Sequence, residues 1–408
     1  MQRLLVTFFI FSFASFCSCS RPLEAIPNAC SVMDYGAIGD GITDDSKAFL
    51  KAWDAACAMS GSIGTVVVPQ GKTFLLKPLK FTGPCKFSSI NFKLEGNIVA
   101  PMSTDAWTKG DKTKWIEFSD IDSLVINGGG QVNGRGSVWW KSCHDDYCKR
   151  PKALSFQNCN NLQLSDTQHI DSPKGHISIT KSDNVIVSNL IITAPEYSKN
   201  TDGIDISGSN HIVIKKCTIA TGDDCIAIGN DTSNIDITNI ACGPGHGISI
   251  GSLGRYGAYD TVENVYVSDC NIRGATNGVR IKTWQGGSGY VRNVTFEKIT
   301  ITNTKNPIII NQDYQDTVMK EFKKKGSGGL EISGVRFKDV KGTSASKVAI
   351  TLDCNSSKGC HDIIMDDINL TSESSPSEIT ASCTNANGEE TSVSPKVSCL
   401  ENKTPSSY

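Results

Sequence analysis

The chain has 408 residues, and its 40 Lys and Arg nearly balance its 42 Asp and Glu, which leaves a net charge of −2. This balance excludes the basic surface typical of nucleic-acid-binding proteins and a polybasic patch for membranes. Beyond the N-terminus, no stretch approaches the roughly 20 apolar residues that a transmembrane helix needs. We therefore expect neither a nucleic acid nor a membrane as partner.

The first 20 residues have the layout of a secretory signal peptide. A basic Arg3 precedes an apolar run over residues 4–11, and the small residues Ser18 and Ser20 follow. Cleavage after Ser20 would leave residues 21–408 as one exported domain. Exported chains can be glycosylated at Asn-x-Ser/Thr sequons, and five are present, at Asn230, Asn293, Asn355, Asn369 and Asn402.

Residues 44–57 are predicted to form a helix. Asp44 and Asp45 lead an Ala-rich stretch in which apolar residues recur at helical spacing. Strand repeats follow this segment, and a stack of repeats needs its open end covered. We therefore interpret the helix as a short N-terminal cap.

From Ala153 onward, strand-like segments recur at intervals of about 22 to 31 residues. Ile and Val alternate with polar residues in them, which indicates strands with one buried face. Repeats of this length without helical periodicity predict an all-β fold, a right-handed single-stranded parallel β-helix. A propeller blade, at about 40–45 residues, is too long to fit. The first strand family covers residues 175–179, 203–206, 225–228, 247–250, 278–282 and 307–311, and the second covers 161–164, 184–187, 211–214, 234–237, 264–267 and 293–296.

Alignment of the first strand family predicts which side chains point inward. Ile204, Ile226, Ile248 and Val279 align, as do Ile206, Ile228, Ile250 and Ile281. The intervening positions then face outward, which places Arg280 and Lys282 on the exposed face. In the second family, an Asn before most strands suggests a ladder of side-chain amides along the turns.

Fourteen of the 16 cysteines remain after removal of the signal peptide, an even number that suits an oxidising compartment. The zinc-binding patterns of paired cysteines or Cys/His clusters are not found. Close spacing suggests local disulfides for three pairs, and a fourth pair falls in adjacent coils. These pairs are Cys143/Cys148, Cys354/Cys360, Cys383/Cys399 and Cys225/Cys242.

Three acid–base groups occupy one position of the repeat. Asp202, Asp224 and His246 are 22 residues apart, each just before a strand of the first family, and Asp223 adjoins Asp224. Carboxylates held close together raise the pKa of at least one member, which is then able to act as a general acid. Glycoside hydrolysis uses such pairs, and calcium binding is the other common use of clustered Asp.

The histidines and Tyr314 differ in how well the sequence supports them as site residues. His246 shares its repeat position with Asp202 and Asp224, and the glycines around it leave its ring accessible, which favours a residue that tunes the acid or contacts substrate. His169 and His176 lie in earlier coils and have weaker claims. Tyr314 follows the last strand of the first family and is as well explained by packing as by sugar stacking. The region 373–408 is rich in Ser, Thr, Asn, Glu and Pro and is predicted to be loop-rich.

Several segments together resemble the polygalacturonases of glycoside hydrolase family 28, of the plant type. Four motifs stand in the family's order and approximate spacing, and Tyr314 matches its later tyrosine. They are Asn200-Thr201-Asp202, Gly222-Asp223-Asp224, Gly245-His246-Gly247 and Arg280-Ile281-Lys282. The resemblance also covers residues 34–45, 136–140 and 251–254, hence most of the mature chain. Where the family usually has Cys after this tyrosine, the chain has Gln315.

The resemblance implies an enzyme that hydrolyses α-1,4 bonds between galacturonic acid units of pectin, with inversion and without a metal or other cofactor. Asp223 would be the general acid, Asp202 and Asp224 would activate water, and His246 would assist. The residues implied to bind galacturonate are Arg280, Lys282, Tyr314 and Asn200. The resemblance also implies a disulfide between Cys225 and Cys242. We expect a monomer that is secreted to the extracellular cell wall.

Two alternatives remain open at this point. A calcium-dependent pectate lyase on a similar solenoid would release products with a new double bond. A catalytically silent pectin-binding protein would bind without producing new reducing ends. Between endo and exo cleavage, the resemblance favours endo.

Overall fold

The computed structural model describes residues 29–61, 63–107, 112–143, 148–315, 328–373 and 379–400. The signal peptide predicted over residues 1–20 and the sequon at Asn402 lie outside them. Five short helical segments occur in this part of the chain, namely α1 (Ser46–Ala58), α2 (Ser137–Trp140) and 3-10 turns at Val32–Tyr35, Thr104–Trp107 and Arg255–Gly257. None of the helices described has the length and apolar character to cross a membrane.

All other regular structure in the described residues is β. In chain order, the strands are β1 (Ala29–Ser31), β2 (Asp40–Asp44), β3 (Ile63–Val68), β4 (Thr73–Leu75), β5 (Leu79–Thr82), β6 (Ser89–Leu94), β7 (Asn97–Val99), β8 (Lys114–Ser119), β9 (Leu124–Asn127), β10 (Gln131–Asn133), β11 (Lys152–Gln157), β12 (Gln163–Ser165), β13 (Gln168–Ile170), β14 (Ile177–Thr180), β15 (Asp183–Ser188), β16 (Ile191–Thr193), β17 (Ile204–Ser207), β18 (Asn210–Lys215), β19 (Thr218–Ala220), β20 (Ile226–Ile228), β21 (Thr232–Thr238), β22 (Ala241–Cys242), β23 (Ile248–Leu253), β24 (Tyr259–Arg273), β25 (Asn277–Thr283), β26 (Ser288–Thr304), β27 (Asn306–Asn311), β28 (Glu331–Ser344), β29 (Val348–Asp353), β30 (Cys360–Ser372), β31 (Thr380–Thr384) and β32 (Ala386–Ser394).

Every described strand pairs in parallel with its equivalent in a neighbouring coil, as the repeat predicts. Eleven strands form one sheet in the order β5-β8-β11-β14-β17-β20-β23-β25-β27-β29-β31, which we call the site sheet. The other 21 strands form the remaining faces of the solenoid. The prediction of a right-handed parallel β-helix is confirmed, in keeping with the near-universal hand of parallel connections.

The predicted inward columns form the core beneath the site sheet. Ile204 pairs in register with Ile226, Ile226 with Ile248, and Ile248 with Val279, and all four side chains are fully buried. Full burial of one such side chain contributes about 1.5–3 kcal/mol. The packed columns therefore fix the register that aligns the outward-facing side chains from coil to coil.

The predicted helix is present as α1, and it packs on the first coils. Phe49 and Trp53 of α1 are buried, with the ring of Phe49 5.3 Å from that of Phe74 and the ring of Trp53 5.1 Å from that of Phe81. This arrangement covers apolar side chains at the N-terminal end of the stack, which a solenoid requires.

The predicted Asn ladder is also present, with one interruption. Asn184 donates to Asn161 at 2.7 Å, and Asn264 donates to Asn234 at 3.0 Å. These residues adopt a left-handed backbone conformation, which Asn tolerates better than most residues. His211 occupies the equivalent position of one coil, and there the preceding residue, Asn210, accepts the ladder bond from Asn234.

The four disulfides predicted from the sequence are present, together with one that the sequence did not predict, between Cys57 and Cys85. That bond joins the end of α1 to a loop 28 residues later. The two cysteines are too far apart in the sequence for their spacing to indicate a pair. Four other cysteines of the described residues are buried thiols, namely Cys30, Cys159, Cys217 and Cys270.

The prediction of a loop-rich segment after Ser372 is wrong for residues 380–394. Two strands, β31 and β32, continue the stack there. Leu352 pairs with Cys383 and Ile368 pairs with Val393 in parallel register. Hydrogen bonding to a preformed sheet edge outweighs the weak strand propensity of these polar residues, because strand preference depends strongly on context.

Candidate active site

The candidate catalytic side chains lie at one end of three neighbouring strands of the site sheet. Asp202 precedes β17, Asp224 precedes β20 and His246 precedes β23. The amide of Gly203 donates to the carbonyl of Asp224 at 2.9 Å, and the amide of His246 donates to the carbonyl of Asp223 at 2.8 Å. These bonds between successive coils bring the acid–base groups side by side, as the 22-residue spacing predicts.

Asp223 reaches the same cleft because the chain bends before β20 begins. Its carboxylate Oδ1 lies 2.9 Å from Nδ1 of His246. Oδ2 accepts hydrogen bonds from Asn200, at 3.2 Å from the backbone amide and 3.4 Å from the side-chain amide. On a regular strand, adjacent side chains would point to opposite faces, so the bend allows Asp223 and Asp224 to share one site.

Asp224 is bound by two cations. Arg280 Nη2 lies 2.7 Å from Oδ1, and Lys282 Nζ lies 2.7 Å from Oδ2. The hydroxyl of Ser249 donates to Oδ1 at 2.8 Å and accepts from Arg280 Nε at 3.0 Å. All four side chains are buried. Arg280 and Lys282 thus face the cleft as predicted, but in the structure they pair with Asp224 rather than standing exposed.

Tyr314 and Trp284 flank the cationic side of the cleft. Lys282 Nζ lies 5.4 Å from the centre of the Tyr314 ring, within the range of a cation–π contact. The Tyr314 ring packs edge-on against Trp284 at 5.7 Å. The structure therefore brings Tyr314 to the candidate site, and Trp284 is a neighbour that sequence reasoning missed.

Sequence reasoning also missed Arg150, which holds Asn200 in place. Arg150 is 5% exposed, and it donates to the side-chain oxygen of Asn200 at 2.6 Å and to the carbonyl of Lys199 at 2.7 Å. The contact orients the Asn200 amide towards Asp223. Arg150 lies 50 residues before Asn200 and outside the strand alignment, so no spacing pattern could have found it.

Comparison with known proteins shows to which family the chain belongs. The family model described as glycosyl hydrolases family 28 matches residues 57–399. This chain belongs to glycosyl hydrolase family 28. It is therefore a glycoside hydrolase, and the lyase alternative finds no support.

Relatives of this family-28 enzyme include several plant proteins. A probable polygalacturonase of Arabidopsis thaliana is 51% identical over 92% of this chain and 81% of its own length. A polygalacturonase of Persea americana is 46% identical over 87% of this chain and 76% of its own. Polygalacturonase-2 of Solanum lycopersicum is 42% identical over 91% and 81%.

Solved structures show the same architecture. An endo-xylogalacturonan hydrolase from Aspergillus tubingensis superposes with a TM-score of 0.75 at 27% identity, covering 88% of this chain and 96% of that one. A polygalacturonase from Erwinia carotovora has a TM-score of 0.69 at 24% identity, covering 91% and 99%. The second likeness bears on the fold alone.

The three carboxyl groups of the candidate site have different electrostatic environments. Burial raises the pKa of Asp202 well above its usual value, and the charges of Asp205, Asp223 and Asp224 add to this effect. Burial also raises the pKa of Asp223, but the hydrogen bond and charge of His246, with the charge of Lys282, outweigh it and lower this pKa to about 2. In the free enzyme, a proton is thus retained most readily on Asp202.

The cluster is better suited to charge pairing than to metal coordination. Asp223, Asp224 and His246 place one potential ligand atom each within 4.8 Å of one another. Both oxygens of Asp224 already accept hydrogen bonds from cations. A metal ion would have to displace Arg280 and Lys282, so these contacts give calcium no ready site here.

The two other histidines considered from the sequence lie in the interior. Burial lowers the pKa of His169 to about 3 and that of His176 to about 4. The Nδ1 atom of His176 lies 3.0 Å from the backbone carbonyl of Asp202. Both rings are buried, so His176 supports the backbone beneath the site and neither ring faces the cleft.

The raised pKa of Asp202 predicts a stability effect that depends on pH. A carboxyl whose pKa is higher in the folded than in the unfolded state makes folding less favourable once pH rises above its unfolded value. We expect Asp202→Asn to unfold at a higher temperature than the unsubstituted enzyme at pH 7, with the difference vanishing near pH 3. Thermal unfolding across this pH range measures it, and a difference independent of pH would contradict the assignment.

Proposed function

We propose that this family-28 enzyme hydrolyses the α-1,4 bonds of polygalacturonate with inversion. The observation that carries the proposal is the Asp223–His246 pair beside an Asp224 carboxylate bound by Arg280 and Lys282. Hydrolysis of a sugar chain requires a carboxyl group as acid and a neighbouring carboxylate as base. The two cations suit a sugar chain that itself bears carboxylates. The names of the plant relatives support the same substrate.

In this proposal, Asp223 protonates the leaving oxygen. The bond between the anomeric carbon and the glycosidic oxygen breaks, its electron pair stays on that oxygen, and the oxygen takes the proton from Asp223. Asp223 must carry a proton before this step, and His246 is hydrogen-bonded to the same carboxyl. The backbone and side-chain amides of Asn200 fix the direction in which the Asp223 carboxyl points.

A water molecule then attacks the anomeric carbon from the opposite face, which inverts its configuration. Asp202 and Asp224 are the bases that take the proton from this water. Asp202 must be ionised to do so, and its raised pKa places the acid limb of the activity profile above the pH typical of an isolated Asp.

Arg280 and Lys282 are proposed to bind the carboxylate of a galacturonate unit, with Tyr314 beside them. Arg supplies a planar fork and Lys a point charge, the two common ways of binding a carboxylate. Both cations already contact Asp224. A substrate carboxylate would therefore bind beside a network of charged side chains that is already in place.

The remaining features of the proposal concern the whole chain. We propose that residues 21–408 form a single catalytic domain that acts as a monomer, without a cofactor, in the extracellular cell wall. The five disulfides support an oxidising compartment. Cleavage is proposed to be of the endo type.

Product analysis on long polygalacturonate tests the reaction. Release of reducing ends, insensitivity to a chelator and a ladder of oligomers at early times are expected. Products that absorb in the ultraviolet from a new double bond would indicate a lyase, and monomer alone would indicate exo cleavage. Binding without new reducing ends would contradict the catalytic proposal.

A further inference from the structure

Gln312 is a buried polar residue beside the candidate site, and the proposed mechanism gives it no role. It directly follows β27 and precedes Tyr314 by two positions. Its side chain is 2% exposed. A buried amide without partners would destabilise the fold by its full desolvation cost. The partners that Gln312 has therefore show which segments it holds together.

The side chain of Gln312 joins three segments that are distant in the sequence. Nε2 donates to the carbonyl of Leu330 at 2.9 Å and to Oγ1 of Thr283, at the end of β25, at 3.4 Å. Oε1 accepts a hydrogen bond from the backbone amide of Asn355 at 2.9 Å. The backbone amide of Gln312 donates to the carbonyl of Asp353, at the end of β29, at 2.9 Å. Gln312 is thus fixed from the neighbouring strands on both sides.

The partner of Oε1 belongs to a short loop that is closed by a disulfide. Asn355 directly follows Cys354, which is bonded to Cys360, and the amide of Gly359 donates to the carbonyl of Asn355 at 2.8 Å. Both cysteines are buried. A closed loop of this kind has little conformational freedom, so it presents the Asn355 amide to Gln312 at a fixed place.

Tyr314 is bound to the same strand end as Gln312. Its backbone amide donates to the carbonyl of Thr283 at 3.1 Å, so Thr283 contacts both the side chain of Gln312 and the main chain of Tyr314. The Tyr314 ring packs on Trp284 and lies 5.4 Å from Lys282 Nζ. Because only one residue separates Gln312 from Tyr314, a shift of Gln312 would displace the ring from these contacts.

We propose that Gln312 is a positioning residue that holds Tyr314 in the orientation in which it contacts substrate, with the Cys354–Cys360 loop as the support. The inference rests on the proposed function for the contact between Tyr314 and a galacturonate unit. Gln312 is too deeply buried to touch a polymeric substrate, so its effect on binding is transmitted through Tyr314. Without the hydrogen bonds of Gln312, the Tyr314 ring would sample several orientations, and substrate would bind to only one of them.

Gln312→Met tests the proposal, because it keeps the length of the side chain and removes its hydrogen bonds. If the competent orientation of Tyr314 falls to about one fifth of the population, KM on polygalacturonate rises about fivefold. We expect this rise, with kcat changed by less than about twofold. In a Tyr314→Ala background, the same substitution should leave KM nearly unchanged, because the two residues act on one contact. Equal rises in both backgrounds, or no rise in the presence of Tyr314, would overturn the proposal.

Glu390→Met is the matched control. Glu390 is also buried and also accepts a hydrogen bond from a backbone amide, that of Val397 at 3.0 Å, but it lies on β32, outside the site sheet. The control should lower stability without raising KM. If Gln312→Met does not fold, Thr283→Val removes only the hydroxyl contact and should raise KM about twofold, again only when Tyr314 is present.

Hydrogen exchange at the backbone amide of Tyr314 separates this inference from the proposed function. We expect faster exchange in Gln312→Met than in the unsubstituted enzyme or in Glu390→Met, because the segment opens more often. If the unsubstituted enzyme releases no reducing ends from polygalacturonate, the proposed function fails, and the exchange rate still decides whether Gln312 holds Tyr314 in place. An unchanged exchange rate would overturn the inference.

Discussion

Asp223→Asn is expected to lower kcat on polygalacturonate by about 10²–10⁴-fold, the range that a positioned general acid contributes. An amide cannot deliver the proton that the leaving oxygen requires. The substitution keeps the shape of the side chain, and the amide introduced at position 223 can still hydrogen-bond to Nδ1 of His246. The measurement is the rate of reducing-end release at saturating substrate.

The control for this variant is Asp236→Asn. Asp236 is exposed on β21, away from the site sheet, so its loss should leave kcat unchanged. Equal unfolding temperatures for both variants would show that the fold is intact. Near-normal activity of Asp223→Asn would show that Asp223 is not the acid. Asp202, whose pKa is raised, would then be the next candidate for that role.

Lys282→Met is expected to lower the free energy of unfolding by about 3–5 kcal/mol, as is usual when one partner of a buried ion pair is removed. Asp224 is 1% exposed, so its charge would keep only the contacts with Arg280 and Ser249. Activity should fall as well, since Lys282 lies in the candidate carboxylate-binding site. Chemical denaturation and kinetics on polygalacturonate measure the two effects.

A second substitution separates charge from packing. Adding Asp224→Asn to Lys282→Met leaves the buried Arg280 guanidinium without its carboxylate partner and should lower the stability further, with no recovery of activity. Lys341→Met, on an exposed pair with Asp339 and Asp367, should change stability little. If the double variant were as stable as Lys282→Met, the Arg280–Asp224 pair would contribute little, and the loss in Lys282→Met would be due to packing rather than to charge.

The strand columns explain how much of the fold the sequence predicts. Ile204 and Ile226 occupy equivalent positions because register in a parallel stack follows the spacing of buried residues. The same spacing aligns Asp202, Asp224 and His246, which is why the site could be located without a structure. This periodicity relates residues within one strand family only. It gives no information on contacts with other parts of the chain.

The features that sequence reasoning missed depend on contacts between distant segments. Arg150 reaches Asn200 across 50 residues, and Cys57 reaches Cys85 across 28, with no repeat to relate them. The sequence places Arg280 correctly on the outward face. Its pairing with Asp224 could not be predicted, because a long side chain can reach several partners on neighbouring strands. The strands after Ser372 exist because a sheet edge is available to them.

The four buried thiols can be used to follow how the protein unfolds. Burial raises the pKa of Cys159 and of Cys217 to about 11 and that of Cys270 to about 12, so each reacts with an alkylating reagent only when its coil is exposed to water. A solenoid is held together mainly by contacts between neighbouring coils. The order in which these cysteines are labelled under mild denaturant would therefore trace where unfolding begins and the direction in which it spreads along the stack.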